Sequence, residues 1–217
     1  MKKSLSVLIM FLAGLLQAGA QQQPAMRDVF SQMPDSLFPY MSHNNRLDLI
    51  DFAESGMEAE ITNSFDERVR LSKLTSDYLK LELSKFSSVE MRLLPSEDLL
   101  PDTTQTVICL IRSFGEKTPF SSIKFYTAKW LPLQIEDPIV TNSDRLIAKP
   151  DTMGVELFED LRKYLIPLYV SAGLSDVGNV ITMKVSLQST IPIDNKSEGI
   201  NHIIKQISIE WDGKTFK

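Results

Sequence analysis

Between Arg68 and Leu93 the chain alternates polar and apolar residues with a period of two, three times in succession. Val69 and Leu71 sit among Arg68, Arg70 and Ser72. Leu79, Leu81 and Leu83 sit among Tyr78, Lys80, Glu82 and Ser84, and Val89, Met91 and Leu93 among Ser88, Glu90 and Arg92. Successive side chains of a strand point to opposite faces, so each run has one face to bury and one to leave wet. Only short polar turns, Thr75-Ser76-Asp77 and Lys85-Phe86-Ser87, separate the runs. Connections that short join antiparallel neighbours. The stretch therefore predicts an antiparallel meander with one solvated face.

Two more strands are expected at 105–113 and 121–130, joined through Phe114-Gly115-Glu116-Lys117-Thr118-Pro119. The first contains Thr106-Val107-Ile108-Cys109-Leu110-Ile111-Arg112, an unbroken apolar run of the kind found in buried strands. Cys109 is the single cysteine of the chain, so no intramolecular disulfide can form. With no histidine or acid beside it in sequence, it reads as a small buried hydrophobe rather than a nucleophile.

Helical spacing surrounds this meander. Met26, Val29, Phe30, Met33, Leu37 and Phe38 predict a helix over 26–39, with Pro34 either breaking it or restarting it. Ser42-His43-Asn44-Asn45 offers capping residues to a second helix through Arg46–Ala53, stopped near Gly56. Further on, Leu157, Phe158, Leu161, Tyr164 and Leu165 predict a helix ending before Pro167. A hairpin of 168–174 and 180–188 follows, then a helix over 195–205 and a strand placing Ile207, Ile209 and Trp211 on one face. The fold class is α+β, an antiparallel sheet with helices packed on one face. A helix-plus-meander unit is assigned to 21–135, a linker or long loop to 136–152, and an α+β unit to 153–217. A single continuous domain is the other reading of the same pattern. Ile123-Lys124 before Trp130 and Ile204-Lys205 before Trp211 share a spacing, which raises two similar, duplicated lobes as a variant.

The first residues read as a cleavable export signal, residues 1–20. Lys2 and Lys3 precede an apolar stretch from Leu5 to Leu16, and Ala18-Gly19-Ala20 supplies small residues for cleavage after Ala20. The stretch is short for a spanning helix, which needs about 20 apolar residues. Gln21 stands where a lipoprotein would carry its lipidated cysteine, so no lipid anchor is expected. No later segment approaches transmembrane length.

Net charge is −5, with acids and bases interspersed. Nucleic acid calls for a basic footprint, so it is not an expected partner. The histidines, His43 and His202, fall in no metal-binding spacing, and neither a metal nor a cofactor is expected. Serine-hydrolase elbows and glycine-rich phosphate loops are missing. Ser72-Lys73 and Ser84-Lys85 read as exposed polar positions. Asp48, Asp51 and Glu54 share a helix face but lie too close together to flank a substrate bond, and Asp194–Gly199 reads as a turn and cap. Trp130 and Trp211 each end a strand, where a tryptophan is either a core or sheet-edge plug or an exposed anchor for a partner; on the second reading they are the candidate binding residues.

Several motifs carry a resemblance. Met33-Pro34-Asp35-Ser36-Leu37-Phe38-Pro39-Tyr40, Asn44-Asn45-Arg46-Leu47-Asp48-Leu49-Ile50-Asp51-Phe52, Val89-Glu90-Met91-Arg92-Leu93-Leu94-Pro95 and the Ile123-Lys124-Phe125-Tyr126 to Trp130 segment are of this kind. The chain resembles the exported Bacteroidetes family catalogued as domain of unknown function 3256. The resemblance implies a Gram-negative envelope setting, the periplasm, and assigns no active site. The expected role is binding or structural, with another envelope protein or a small ligand as partner. The alternative is a hydrolase of envelope or dietary polymers, using Asp, Glu or Ser residues that the fold brings together.

Overall fold

The computed structural model describes residues 23–96, 105–187 and 195–217. The expected signal segment and its Ala20 cleavage position lie outside the described residues. Seven strands form the larger sheet, pairing antiparallel in strict chain order: β1 (Glu60–Thr62), β2 (Arg68–Leu74), β3 (Tyr78–Ser84), β4 (Ser87–Pro95), β5 (Thr106–Phe114), β6 (Phe120–Thr127) and β7 (Pro132–Leu133). The meander is thus as the alternation dictates, with the short outer strands β1 and β7 added. A separate sheet of three antiparallel strands has the order β10-β9-β8, built from β8 (Val170–Leu174), β9 (Val180–Val185) and β10 (Gln206–Glu210). The architecture is α+β.

Each face of the large sheet carries its own core. On one face, helices α1 (Met26–Ser31) and α2 (His43–Glu54) pack Met26, Val29, Phe30, Leu49 and Ile50 onto Val69, Leu79, Leu81, Val89, Met91, Ile108 and Leu110. On the other face, Leu94, Val107, Cys109, Ile111, Ile123 and Phe125 meet Val170, Ala172, Leu174, Ile181, Met183 and Ile209 of the small sheet. The C-terminal helices α5 (Val155–Arg162) and α6 (Asn195–Ile203) add Leu161, Ile200 and Ile203 to this second core. β5 therefore sends alternate residues into two cores. This is why its apolar run is unbroken while β2, β3 and β4 alternate.

Local signals explain the helix ends. The expected 26–39 helix stops at Ser31, and the chain restarts after Pro34 as a 3-10 turn, Asp35–Leu37. Ser42 caps α2 through a capping box with Asn45, whose side chain accepts from the Ser42 N–H at 3.0 Å. Arg46, only 2% exposed, then ties the preceding loop down. It donates to the Met33 carbonyl at 2.7 Å, to the Met41 carbonyl at 3.1 Å and to the Asp35 carboxylate at 2.9 Å. The motif that carried the resemblance is thus a folding clasp.

Residues 136–152, expected as a linker or loop, contain two single-turn helices, α3 (Pro138–Thr141) and α4 (Ser143–Leu146). Asp137 caps α3, Pro138 occupies its first turn, Leu146 is fully buried, and Ile147 bridges Ile204. Elements one turn long leave no period to read. The two halves also differ in plan. The N-terminal part is a helix pair followed by a meander, whereas the C-terminal part inserts α6 between β9 and β10.

Candidate functional site

The small sheet covers only part of the large sheet's second face. Its strand β8 lies across β6, β5 and β4, and side chains from below satisfy its unpaired edge. Ser121 on β6 accepts from the Ala172 N–H at 2.9 Å and donates back to the Ala172 carbonyl at 3.3 Å. Glu90 on β4 accepts from the Leu174 N–H at 2.7 Å. Arg92, buried among these groups, donates to the Ser175 carbonyl at 2.8 Å and to Asp77 at 2.7 Å. An edge capped in this way offers no template for another strand. Lys73 and Asp176, 2.5 Å apart, close the same seam at the surface.

Beside this seam the face stays open. A trough of about 690 Å³ runs over β2 to β5 and is lined by both signs of charge: Arg68, Arg70, Lys80 and Lys85 with Glu58, Glu60, Glu67 and Glu82. Period two puts Arg68, Arg70, Lys80 and Glu82 here, because each alternates with buried residues on the helix-covered face, while Glu58, Glu67 and Lys85 come from the segments flanking the strands. Arg68 meets Glu60 at 2.7 Å and Arg70 meets Glu58 at 3.7 Å. Lys80 reaches Glu90 at 3.3 Å, linking the trough to the seam. Glu67 and Glu82 have no ion-pair partner among the described residues. Ser87 and Ser88 add hydroxyls. Those of Ser84 and Ser113 are engaged, with the Phe86 N–H and the Ser121 hydroxyl respectively.

Phe86 lines one end of the trough, and a separate row of rings lies at the β5–β6 turn, outside the lining. Phe86 is exposed with Lys85 Nζ 4.6 Å from its ring centre. Phe114 and Phe120 pair across β5 and β6 with ring centres 5.6 Å apart, and Tyr169 extends the row at 5.9 Å. Gly115 makes the turn possible. Its φ is +94°, and a Cβ there would sit 2.8 Å from the Thr118 carbonyl oxygen. Its N–H holds the Phe86 carbonyl at 2.8 Å.

The residues singled out in the sequence lie elsewhere. Trp130 and Trp211 are each only 6% exposed. The Trp130 indole donates to the Val29 carbonyl at 2.9 Å, and Trp211 to the Pro95 carbonyl at 2.5 Å. Each ring plugs one of the two cores, so neither stands at the surface as an anchor. A strand-end position is shared by plugs and anchors, and sequence cannot separate them. Cys109 is fully buried, and burial, with the Glu90 carboxylate nearby, pushes its thiol well above the ordinary range. Burial likewise raises Tyr78, with Glu90 again adding to the effect. His43 and His202 are exposed; His43 Nδ1 lies 3.0 Å from the Ser31 carbonyl. Asp48 and Asp51 are exposed too, and Glu54 pairs with Arg27 at 2.5 Å. Among the described residues no three His, Cys, Asp or Glu side chains form a group that could hold a metal. Asp194 lies outside the described residues. What sequence reading missed was the trough as a unit. Its signal was present in the charged wet faces of β2 and β3, but the partial cover that turns a wet face into a bounded site was not.

Fold and site together define a two-sheet α+β module with one open, charge-balanced polar trough. The chain belongs to the family of proteins of unknown function DUF3256, whose model matches residues 16–216. It is similar in structure to a domain of an uncharacterized protein from Porphyromonas gingivalis W83, with a TM-score of 0.67 and 19% identity over 90% of this chain and 98% of that chain. At that identity the likeness speaks for the fold alone. No curated protein matches the chain.

Proposed function

We propose that this chain is a binding protein of the bacterial envelope, exported to the periplasm without a lipid anchor, and that the trough over β2 to β5 is where its partner sits. The observation that carries the binding reading is that trough. It is a bounded concavity of about 690 Å³, within the roughly 300–1,000 Å³ usual for ligand sites, beside a seam that is otherwise capped and closed. The export part is supported by the Lys2-Lys3 start, the apolar stretch and Ala18-Gly19-Ala20 followed by Gln21. No described helix is long and apolar enough to cross a membrane.

The test is site-specific photo-cross-linking in cells of a Gram-negative host in which the chain is exported. A photoreactive residue replaces Glu82 in the trough or Asp48 on the exposed face of α2. Adducts at Glu82 alone support the reading. Equal labelling at both positions, or none at Glu82, sinks it. Fractionation of the same cells checks the compartment.

A further inference from the structure

Resting on the binding reading, we propose that the trough takes a neutral, polyhydroxylated oligomer, an oligosaccharide, with the Phe86 ring at its end as a stacking platform. Three features of the site carry this.

The first is charge. The trough lining holds four basic and four acidic side chains, and the closest pairs, Arg68–Glu60 and Arg70–Glu58, neutralise each other in place. A polyanion such as nucleic acid would need a surplus of cations, and a strongly basic peptide a surplus of anions. With formal charges that balance across the lining, the surface has little net field to match either. It complements a ligand that is polar but uncharged.

The second feature is the mixture of hydrogen-bonding groups. A sugar hydroxyl both donates and accepts, so it is best met by donors and acceptors side by side. Arg68 and Arg70 supply donors on the floor. Glu67 and Glu82, without an ion-pair partner among the described residues, supply acceptors within the same lining. Ser87 and Ser88 supply hydroxyls of either role. Floor strands about 4.8 Å apart make the β2 to β5 width about 14 Å, which suits an oligomer rather than a single ring.

The third feature is the platform. Phe86 is 48% exposed and stands in the lining beside Ser87, Ser88 and Lys85. A flat ring beside a polar floor fits the apolar face of a sugar while the floor takes its hydroxyls.

The experiment is an amide NMR titration of the chain lacking residues 1–20, with cellohexaose, maltohexaose, xylohexaose and chitohexaose as probes. A lysine-rich and a glutamate-rich peptide are titrated in parallel. The expected result is saturable shifts at Phe86, Ser87, Ser88 and Ser113 with at least one saccharide, unchanged by raised salt, since no charge is screened. Phe86→Ala, at an exposed position, should weaken that binding roughly tenfold. Arg70→Ala should weaken it also, with an unchanged thermal midpoint as the folding control. If only the peptides shift these amides, the ligand class is overturned and the binding reading stands. If no probe shifts them, the oligosaccharide is overturned, and cross-linking at Glu82 decides the binding reading separately.

Discussion

One face of one sheet has two halves with opposite fates. Over β4 to β6 it presents Leu94, Val107, Cys109, Ile111, Ile123 and Phe125, and the C-terminal unit buries them. Over β2 and β3 the same face presents Arg68, Arg70, Lys80 and Glu82, and it stays open. The strands belong to one continuous meander, in which the β2–β3 and β3–β4 ladders carry register shifts that β4–β5 and β5–β6 lack. The chemistry of the side chains decides which half can be buried. Burying the charged half would strip water from several ions, each at a cost of several kcal/mol, for little apolar gain. The chain thus halts its second layer where the large sheet turns polar, and it lines the halting edge with Glu90, Arg92 and Ser121, which satisfy the backbone of β8.

The contrast breaks most visibly in the covered half. Ile111→Ala removes a side chain that is 1% exposed, and should cost about 2–5 kcal/mol in chemical denaturation. Arg70→Ala, in the open half, should cost less than about 0.5 kcal/mol in the same assay. Comparable losses at the two sites would mean that the open half is covered in solution.

Next in size is the seam. Arg92→Ala takes away the donor to Ser175 and Asp77 and the guanidinium 5.1 Å from the Tyr78 ring centre. Since Asp77 keeps access to water, the loss should be about 2–3 kcal/mol rather than the larger figure for a fully enclosed pair. Ser121→Ala orphans the Ala172 N–H and should cost about 1–2 kcal/mol. Hydrogen exchange should speed up at Ala172 ahead of the β2 to β5 amides. Uniform acceleration would argue against a discrete seam.

Trp211→Phe tests a plug. It keeps most of the ring but loses the donor to Pro95, for about 1 kcal/mol in denaturant. The smallest effect is set by pH. The hydrogen bond and charge of Lys73 hold Asp176 below its ordinary 3.8. A folded value below the unfolded one stabilises above the unfolded value, and the contribution is lost as pH falls through the folded value. Asp176→Asn should therefore lower the thermal midpoint slightly near about pH 6, and the two curves should converge as pH falls through the folded value. A gap that persists in acid would show that the side chain acts by packing rather than by charge.

Several of these positions were readable before any fold was known, and others were not. The alternation of Leu79, Leu81 and Leu83 with Lys80 and Glu82 named both the strand and its wet face. The apolar run around Cys109 named a strand buried on both sides. Whether Trp130 and Trp211 are plugs or anchors was not legible, because position on a strand says nothing of which layer lies above it. α3 and α4 escaped because a single turn carries no period, although Asp137-Pro138 was a legible start signal. The aromatic row was invisible too. Phe114 and Phe120 meet only through the β5–β6 register, and Tyr169 joins them from the segment just before β8.

Sequence alone determined the elements: the meander, the capped helix at Ser42, the apolar strand β5 and the polar side of β2 and β3. Those depend on neighbours within a few residues, where spacing and propensity act directly. Tertiary structure decided which wet face would be roofed, where the roof would stop, and which buried arginines and tryptophans would pin it. Those outcomes depend on matching surfaces far apart in the chain, Glu90 with Leu174, Ser121 with Ala172 and Trp211 with Pro95. No local pattern encodes such a match. It exists only once burial makes an unpaired backbone group too costly to leave unsatisfied.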